Sequence, residues 1–338
     1  MLEHRQVVTV STIIEVRNLT KHYPIREGIF SRRKIVVHAV DDVSFKIDQG
    51  EMFGLVGESG CGKTSTSKCI LRLIEPTGGI VLWKGENILQ LSRRELRKMR
   101  LRMQMVFQDP YSSLDPTMSV EDIVGEALVA RGLNDEQERR EEATKVLERV
   151  ELSSSYLDRY PHELSGGEKQ RVGIARALAV NPEFIVADEP VAALDTSVKG
   201  KILNLLMDLK ERLRLTFMFV SHDLSMVKHV CNRLGVMYAG ELVELGEVRE
   251  VFGNPRHPYT EALLSAIPIP NPALKRKRIV LEGDVPSLIN PPPGCRFHVR
   301  CRYAESTCSR DRSKLVEVAK GHFVACHLRE NTPHRKTG

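Results

Sequence analysis

The sequence has 338 residues, and 50 Lys and Arg against 44 Asp and Glu give a formal net charge of +6. This mild basicity favours a solvated surface over contact with nucleic acid or anionic lipid, so no nucleic-acid partner is expected. No apolar run approaches the roughly 18 residues of a membrane span, and residues 1–15 lack the pattern of a secretory signal, so we expect the chain to stay in the cytosol. In that compartment seven cysteines indicate metal binding or free thiols rather than disulfides.

The first part of the chain is predicted to form an antiparallel sheet. Residues 13–17 and 43–47 have the short alternating or β-branched patterns of strands. Tyr23 lies between them, where an exposed ring could stack on an adenine base or simply pack on the edge of the sheet. Residues 28–34 are predicted to form a basic loop insertion.

The next stretch fits the phosphate-loop pattern G-x-x-x-x-G-K-[ST], between an apolar strand pattern at 52–56 and a helix predicted from Ser65 to Leu73. Its glycines let the backbone curl around a phosphate, and the helix N-terminus adds positive partial charge. We expect Lys63 to reach the β- and γ-phosphates and the Thr64 hydroxyl to ligate Mg²⁺. The candidate nucleotide-binding residues here are Gly57, Glu58, Ser59, Gly60, Cys61, Gly62, Lys63, Thr64 and Ser65.

A basic amphipathic helix is predicted at 92–103, with Ser92 and Glu95 at capping-box positions. The strand pattern after it ends at Gln108, whose amide could bind Mg²⁺ or the attacking water, although an isolated glutamine is usually a surface polar group. Two further helices are predicted at 119–131 and 134–150, the second with charges spaced for i,i+4 pairs.

A second small-residue loop precedes a helix predicted at 169–180, and it consists of Ser165, Gly166, Gly167 and Glu168. Free N–H groups at a helix N-terminus form an anion site. Two chains arranged head to tail would place each phosphate loop opposite the partner's Ser-Gly-Gly. The loop therefore predicts a composite site between two chains.

An apolar strand predicted at 184–189 ends in two carboxylates. Asp188 is expected to hold Mg²⁺ through water or Thr64. Glu189 is expected to polarise the attacking water as a general base. The alternative is an acidic pair at a strand end without a catalytic role.

A turn at 193–195 ends at Asp195 and leads into an amphipathic helix predicted at 198–213. The buried strand predicted at 217–220 then leads to His222. Because open α/β sheets bind ligands at the carboxyl edge of their strands, we expect His222 to contact the γ-phosphate.

This ordered set resembles the ATPase subunit of an ATP-binding cassette (ABC) transporter over about residues 13–252. We therefore take residues 1–252 as the predicted ATPase domain. The resemblance implies an α/β fold: a P-loop core, an antiparallel β subdomain, a helical subdomain near 110–178, and a small loop-rich C-terminal extension. It implies that two subunits sandwich two ATP molecules, each site using one chain's phosphate loop and the other's Ser165–Gly167. It also places Tyr23 at the adenine-stacking position and Gln108 where nucleotide state is coupled to two transmembrane permease subunits. The motifs that carry it are Tyr23, Gly57–Thr64, Gln108, Leu164–Glu168, Asp188–Glu189, Ala193–Asp195 and His222.

The segments 107–114 and 254–264 and the cysteines of the tail resemble the ATPases of oligopeptide and dipeptide importers. This implies an ATP-hydrolysing motor, peripheral on the cytoplasmic face of the membrane, that works indirectly with an extracytoplasmic substrate-binding protein. Relatives also carry nickel or oligosaccharides, and the sequence does not choose among these cargoes. Such importers usually pair two different ATPases, which favours a paralogue as the partner. A second copy of this chain is the alternative. Ala192 stands where the family often has serine, which could weaken one composite site.

Residues 253–338 are proline-rich and are predicted to form an extension packed on the core, with a basic run at 275–278. Four of its cysteines are spaced C-x5-C-x6-C-x17-C and would form a structural metal site. The spacing lacks the paired C-x2-C typical of zinc, and the subfamily resemblance also favours a [4Fe–4S] cluster. Zn²⁺ and metal-free reduced thiols are the alternatives. The cysteines are Cys295, Cys301, Cys308 and Cys326.

Two other functions compete with the transport motor. A soluble cassette ATPase acting on DNA or ribosomes usually fuses two cassettes or inserts long coiled coils, and this sequence has one cassette and no sustained heptads. A nucleotide-binding regulator with little turnover would differ from the motor in its response to Glu189→Gln, which removes the expected base.

Overall fold

The computed structural model describes residues 11–26, 34–268 and 278–329. The strands in these ranges are β1 (Thr12–Arg26), β2 (Lys34–Asp48), β3 (Met52–Val56), β4 (Gly78–Trp83), β5 (Glu86–Asn87), β6 (Met103–Val106), β7 (Phe184–Asp188), β8 (Thr216–Ser221), β9 (Arg233–Tyr238), β10 (Glu241–Glu247), β11 (Val316–Ala319) and β12 (His322–Val324). The α-helices are α1 (Lys63–Ile70), α2 (Arg93–Arg102), α3 (Val120–Arg131), α4 (Glu136–Arg149), α5 (Gly166–Leu178), α6 (Thr196–Leu213), α7 (Leu224–Val230), α8 (Val248–Gly253), α9 (Pro258–Ser265) and α10 (Ser306–Arg310).

The larger sheet has the strand order β11-β12-β10-β9-β3-β8-β7-β6. The run from β9 to β6 is parallel, whereas β10, β12 and β11 are added antiparallel. Every residue of β3, β7 and β8 is buried, as expected for parallel strands covered on both faces. The carboxyl ends of β3, β6, β7 and β8 therefore meet at one edge, where the candidate site residues lie.

The smaller sheet is antiparallel, with the order β2-β1-β4-β5. Its apolar residues, such as Val16, Phe45 and Trp83, share one core with residues of the larger sheet such as Phe53 and Phe184. The predicted antiparallel subdomain and α/β core are thus both confirmed.

The helices α3, α4 and α5 pack on one another and on the edge of the larger sheet. Buried apolar residues such as Ile123, Val146 and Val172 join them to the main core. Helix α3 begins with a capping box between Ser119 and Asp122, which satisfies backbone N–H groups of its first turn. The predicted helical region is confirmed.

The extension is anchored to the core by a buried carboxylate. Glu244 on β10 accepts hydrogen bonds from the backbone N–H groups of Arg256 (2.7 Å) and His257 (2.8 Å), and its Oε1 lies 2.7 Å from His322 Nε2 on β12. Both Glu244 and His322 are almost fully buried. The extension therefore does more than pack on the core, because β12 and β11 continue the core's own sheet.

Several boundaries differ from the sequence predictions. The strands expected at 13–17 and 43–47 extend over Thr12–Arg26 and Lys34–Asp48, so Tyr23 lies within β1 rather than between strands. These two strands stabilise each other by long-range pairing, which local patterns do not reveal.

Other elements shift at their ends. Strand β6 ends at Val106, so Gln108 lies in the loop after it, whereas α1 begins at Lys63 and ends at Ile70, before the predicted Leu73. The capping box predicted at Ser92 and Glu95 is confirmed. Most of the basic segments 28–34 and 275–278 lies outside the described residues. In the described part of the chain, no helix combines the length and apolarity needed to cross a bilayer.

Candidate functional site

The phosphate loop connects β3 to α1 and is shaped by glycine. Gly62 has φ 106°, and a Cβ there would lie 2.1 Å from the carbonyl oxygen of Ala39, so a side chain does not fit. The Lys63 ammonium donates hydrogen bonds to the carbonyl oxygens of Gly57 (2.8 Å) and Glu58 (2.9 Å). The lysine is thus held over the loop whose N–H groups would bind phosphate.

The two expected magnesium ligands contact each other. Thr64 Oγ1 donates to Asp188 Oδ1 over 3.2 Å, joining the start of α1 to the end of β7. Burial raises the pKa of Asp188 above its ordinary value, opposed by the hydrogen bond from Thr64. A buried carboxylate beside a hydroxyl is chemically suited to Mg²⁺, which prefers oxygen ligands.

Three of the predicted catalytic side chains converge beside this pair. Glu189 Oε2 accepts a hydrogen bond from Gln108 Nε2 over 3.0 Å and lies 3.1 Å from His222 Nδ1. The contacts arise because β6, β7 and β8 are adjacent and parallel, so the residues after them share one edge. Glu189 adopts φ 46°, a left-handed conformation that costs a non-glycine residue on the order of 1–3 kcal/mol.

Tyr23 lies near the other side of the phosphate loop. Its hydroxyl is 3.4 Å from Ser65 Oγ, and Lys21 Nζ lies 4.7 Å from its ring centroid. The ring therefore stands beside the first turn of α1, next to the phosphate loop.

The Ser-Gly-Gly loop lies elsewhere in the chain. Ser165 caps α5 through a capping box with Glu168, whose carboxylate also accepts a hydrogen bond from Tyr156 (2.6 Å). That bond and those from Ser165 hold the pKa of Glu168 below its ordinary value. Gly166 packs against Tyr111 and Leu194, and a Cβ at Gly167 would lie 2.7 Å from Val198 Cγ1, so both glycines allow close packing.

No hydrogen bond in the described ranges joins residues 165–168 to the phosphate loop. Asp195 is likewise separate from it; it starts α6, and its carbonyl oxygen accepts from Val198 N over 2.9 Å. Within one chain, then, Gln108, His222 and Tyr23 lie close to the phosphate loop and the acidic pair. The Ser-Gly-Gly loop and Asp195 lie apart from them.

Two residues of the extension that sequence reasoning missed reach the phosphate loop. Tyr259 accepts a hydrogen bond from the backbone N–H of Glu58 over 2.9 Å, and Arg300 donates to Glu58 Oε2 over 3.0 Å. Tyr259 belongs to the segment that carries the subfamily resemblance, but no spacing rule pairs that segment with the phosphate loop.

The four predicted cysteines line one small cavity of the extension with His257 and Phe297. Burial raises the pKa of Cys295 to about 12 and that of Cys326 to about 11, so both are thiols at neutral pH unless a metal binds them.

The separation of the sulfur atoms bears on the metal that would fit. Among the described residues, no three of the four cysteines have sulfur atoms that all lie within 4.8 Å of one another. A tetrahedral Zn²⁺ with bonds near 2.3 Å needs thiolates about 4 Å apart. An iron–sulfur cluster binds its thiolates through different iron atoms and fits a wider arrangement.

Comparison with known proteins agrees with this geometry. A family model described as "ABC transporter" matches residues 40–192, and one described as "Oligopeptide/dipeptide transporter, C-terminal region" matches residues 243–308. The oligopeptide transport ATP-binding protein AppF of Bacillus subtilis is 49% identical over 94% of this chain and 97% of its own length. A putative peptide import ATP-binding protein of Brucella ovis is 48% identical over 96% of this chain and all of its own length.

A solved structure supports the fold. The ATP-binding cassette MJ0796, a dimer in a post-hydrolysis state bound to ADP and Pi, aligns with TM-score 0.62 at 33% identity, over 70% of this chain and 99% of that one. The chain therefore belongs to the ATP-hydrolysing subunits of ABC transporters, and it carries the C-terminal region typical of oligopeptide and dipeptide transporters.

Proposed function

We propose that this ATPase drives the import of oligopeptides or dipeptides. The observation that carries the ATP-hydrolysing role is the convergence of Gln108, Glu189 and His222 beside the Thr64–Asp188 pair. The peptide cargo is supported by the names of the relatives and by the matched C-terminal region. Nickel and oligosaccharides are the alternative cargoes.

The site residues divide the chemistry among them. The phosphate loop and Lys63 bind the β- and γ-phosphates, while Tyr23 stacks on adenine. Thr64 and Asp188 hold Mg²⁺, which neutralises phosphate charge when bound. Glu189 takes the proton of the attacking water, with Gln108 orienting the carboxylate and His222 contacting the γ-phosphate.

The second half of each site comes from the partner. The N-terminus of α5, with Ser165, Gly166 and Gly167, presents backbone N–H groups to the partner's nucleotide. Asp195 and Ala192 lie in the turn that approaches the same interface. We infer that the partner is a paralogue or a second copy of this chain. With a paralogue that has serine at the position of Ala192, the two sites would be unequal, whereas in a homodimer both sites would contain Ala192.

The permease subunits dock on a groove between the larger sheet and the helical region. This groove has a volume of about 660 Å³ and is lined by residues that include Arg97, Leu101 and Phe107. Phe107 is exposed and directly precedes Gln108, so movement of a docked permease segment would reach the catalytic edge. In this proposal the chain is peripheral on the cytoplasmic face of the membrane, and a substrate-binding protein delivers cargo from the other side.

The extension holds a [4Fe–4S] cluster on Cys295, Cys301, Cys308 and Cys326. The shared cavity supports a common metal site, and the sequence spacing, which lacks paired C-x2-C motifs, favours the cluster over Zn²⁺. Its role is structural, since four metal–thiolate bonds would fix a segment with few strands and helices.

ATP hydrolysis by the purified full-length chain tests the proposal, with Glu189→Gln as the control. Turnover that depends on Glu189 and rises steeply with protein concentration would support a homodimer. Turnover that appears only with a paralogous ATPase would support a heterodimer. Equally slow turnover by the wild type and the variant in every combination would contradict the motor and favour a regulator.

A further inference from the structure

Glu58, in the phosphate loop, is held by contacts on three of its polar groups. Its N–H donates to the Tyr259 hydroxyl (2.9 Å), its carbonyl accepts from Lys63 Nζ (2.9 Å), and its carboxylate accepts from Arg300 Nη1 (3.0 Å). Two of these partners belong to the C-terminal extension, and the third is the phosphate-binding lysine. Glu58 is therefore the link between the extension and Lys63.

The extension side of this link is rigid. Tyr259 is fully buried, and the Arg300 side chain is only 8% exposed. The Tyr259 ring packs against Tyr238 of β9 and Phe297 of the extension, with centroid distances of 4.6 Å and 5.5 Å. Buried aromatic side chains packed in this way keep a fixed orientation, so the hydroxyl that binds Glu58 cannot follow a shift of the loop.

Charge gives Arg300 a second effect. The Glu58 carboxylate is a negative charge in the loop that must accept a polyphosphate, and it repels that ligand unless it is neutralised. Arg300 pairs with it in a mostly buried position, where solvent screens the interaction only weakly. The extension thus removes a charge that opposes nucleotide binding.

We propose that Arg300 and Tyr259 are positioning residues for the phosphate loop, so that the affinity of this chain for ATP depends on its docked extension. Together they fix the backbone of Glu58, keep Lys63 in place and neutralise the Glu58 carboxylate. The inference rests on the proposed phosphate-binding role of the loop. The extension would then affect the nucleotide site in addition to its structural role.

The test is isothermal titration of the full-length chain with MgATP. Arg300→Gln is expected to weaken ATP binding about five- to tenfold, because both the neutralising charge and the bond to Glu58 are lost. The KM for ATP should rise by the same factor, while kcat at saturating ATP stays unchanged, since the lost interaction is equal in ground and transition states. Arg300→Lys restores the charge and should recover most of the affinity.

Arg302→Gln is the matched control. Arg302 also pairs with a glutamate, Glu261 at 3.4 Å, but its side chain is 53% exposed and the pair lies within the extension. Its loss should leave ATP affinity unchanged. Wild-type affinity in Arg300→Gln would overturn the proposal, as would an equal loss in both variants.

A double variant separates the proposal from simple destabilisation. If Arg300→Gln also lowers the melting temperature, Glu58→Gln is added to it. Removing the unpaired carboxylate should restore part of the ATP affinity, whereas additive losses would overturn the proposal. Lys63→Ala tests the underlying site separately, because undiminished ATP binding by that variant would contradict the role of the loop itself.

Discussion

Gln108 and Glu189 are joined across two neighbouring strands of the parallel sheet, with the glutamine amide donating to Glu189 Oε2 over 3.0 Å. The same oxygen lies 3.1 Å from His222 Nδ1, and the glutamate backbone has φ 46°. Two side chains and a strained backbone thus fix the direction of one carboxylate oxygen. A carboxylate held in this way is pre-organised to take a proton from water.

Gln108→Ala should lower kcat about 10- to 100-fold while ATP binding is retained, because Glu189 loses one of the two groups that orient it. Single-turnover hydrolysis and equilibrium ATP binding measure the two effects separately. Gln90→Ala changes an exposed glutamine far from this edge and should leave both unchanged. A parallel loss of ATP binding in Gln108→Ala would argue against a purely orienting role.

Glu168 should make the protein sensitive to acid. Its pKa is held below the ordinary value by hydrogen bonds from Tyr156 and Ser165, so the stabilisation is present above about pH 4.3 and is lost as pH falls through the lowered pKa. Glu168→Gln should cost no more than about 1 kcal/mol at pH 7, because solvent screens a partly exposed group.

Melting temperatures measured from pH 7 to pH 3 test this effect. The Glu168→Gln variant should lose less stability on acidification than the wild type. Glu148→Gln, at an exposed position on α4, should follow the wild-type curve. Identical pH profiles for Glu168→Gln and the wild type would rule out a contribution of the Glu168 carboxylate to the pH dependence of stability.

Glu244→Ala should release the extension from the core. The change leaves the N–H groups of Arg256 and His257 and the His322 ring without their buried acceptor, at a cost of about 3–5 kcal/mol. Thermal unfolding and limited proteolysis of the extension measure the loss. Glu247→Ala, at the exposed end of the same strand, should behave like the wild type. If the extension of Glu244→Ala stays as resistant to proteolysis as that of the wild type, the cysteine site alone holds the extension on the core.

Cys301→Ser should abolish iron binding. Serine replaces one thiolate of a four-cysteine site, and incomplete ligation leaves an iron–sulfur cluster unstable. Iron content and visible absorbance after anaerobic purification measure the loss, and Cys231→Ser, outside the cavity, should retain the iron. Zinc at one equivalent in the wild type would support the alternative metal, and a colourless, metal-free wild type would support reduced thiols.

The predictions for the candidate ATP site rest largely on local patterns. The phosphate loop has a spacing that few other functions require, and Asp188, Glu189 and His222 each follow an apolar strand pattern. Capping boxes were recognisable for the same reason, since Ser92 and Glu95 lie three residues apart in the chain. Where the residues that define an element or a motif are neighbours in sequence, local propensity and periodicity were sufficient to predict it.

The sequence by itself determined the family, the phosphate loop and the residues at the ends of the strands, because short-range spacing encodes them. Only the tertiary structure decided that Glu189 binds both Gln108 and His222, and that Tyr259 and Arg300 reach Glu58. The same holds for the length of β1 and β2 and for the addition of β11 and β12 to the core sheet. These contacts join residues far apart in the chain, and their formation depends on strand order and on burial, which no local pattern specifies.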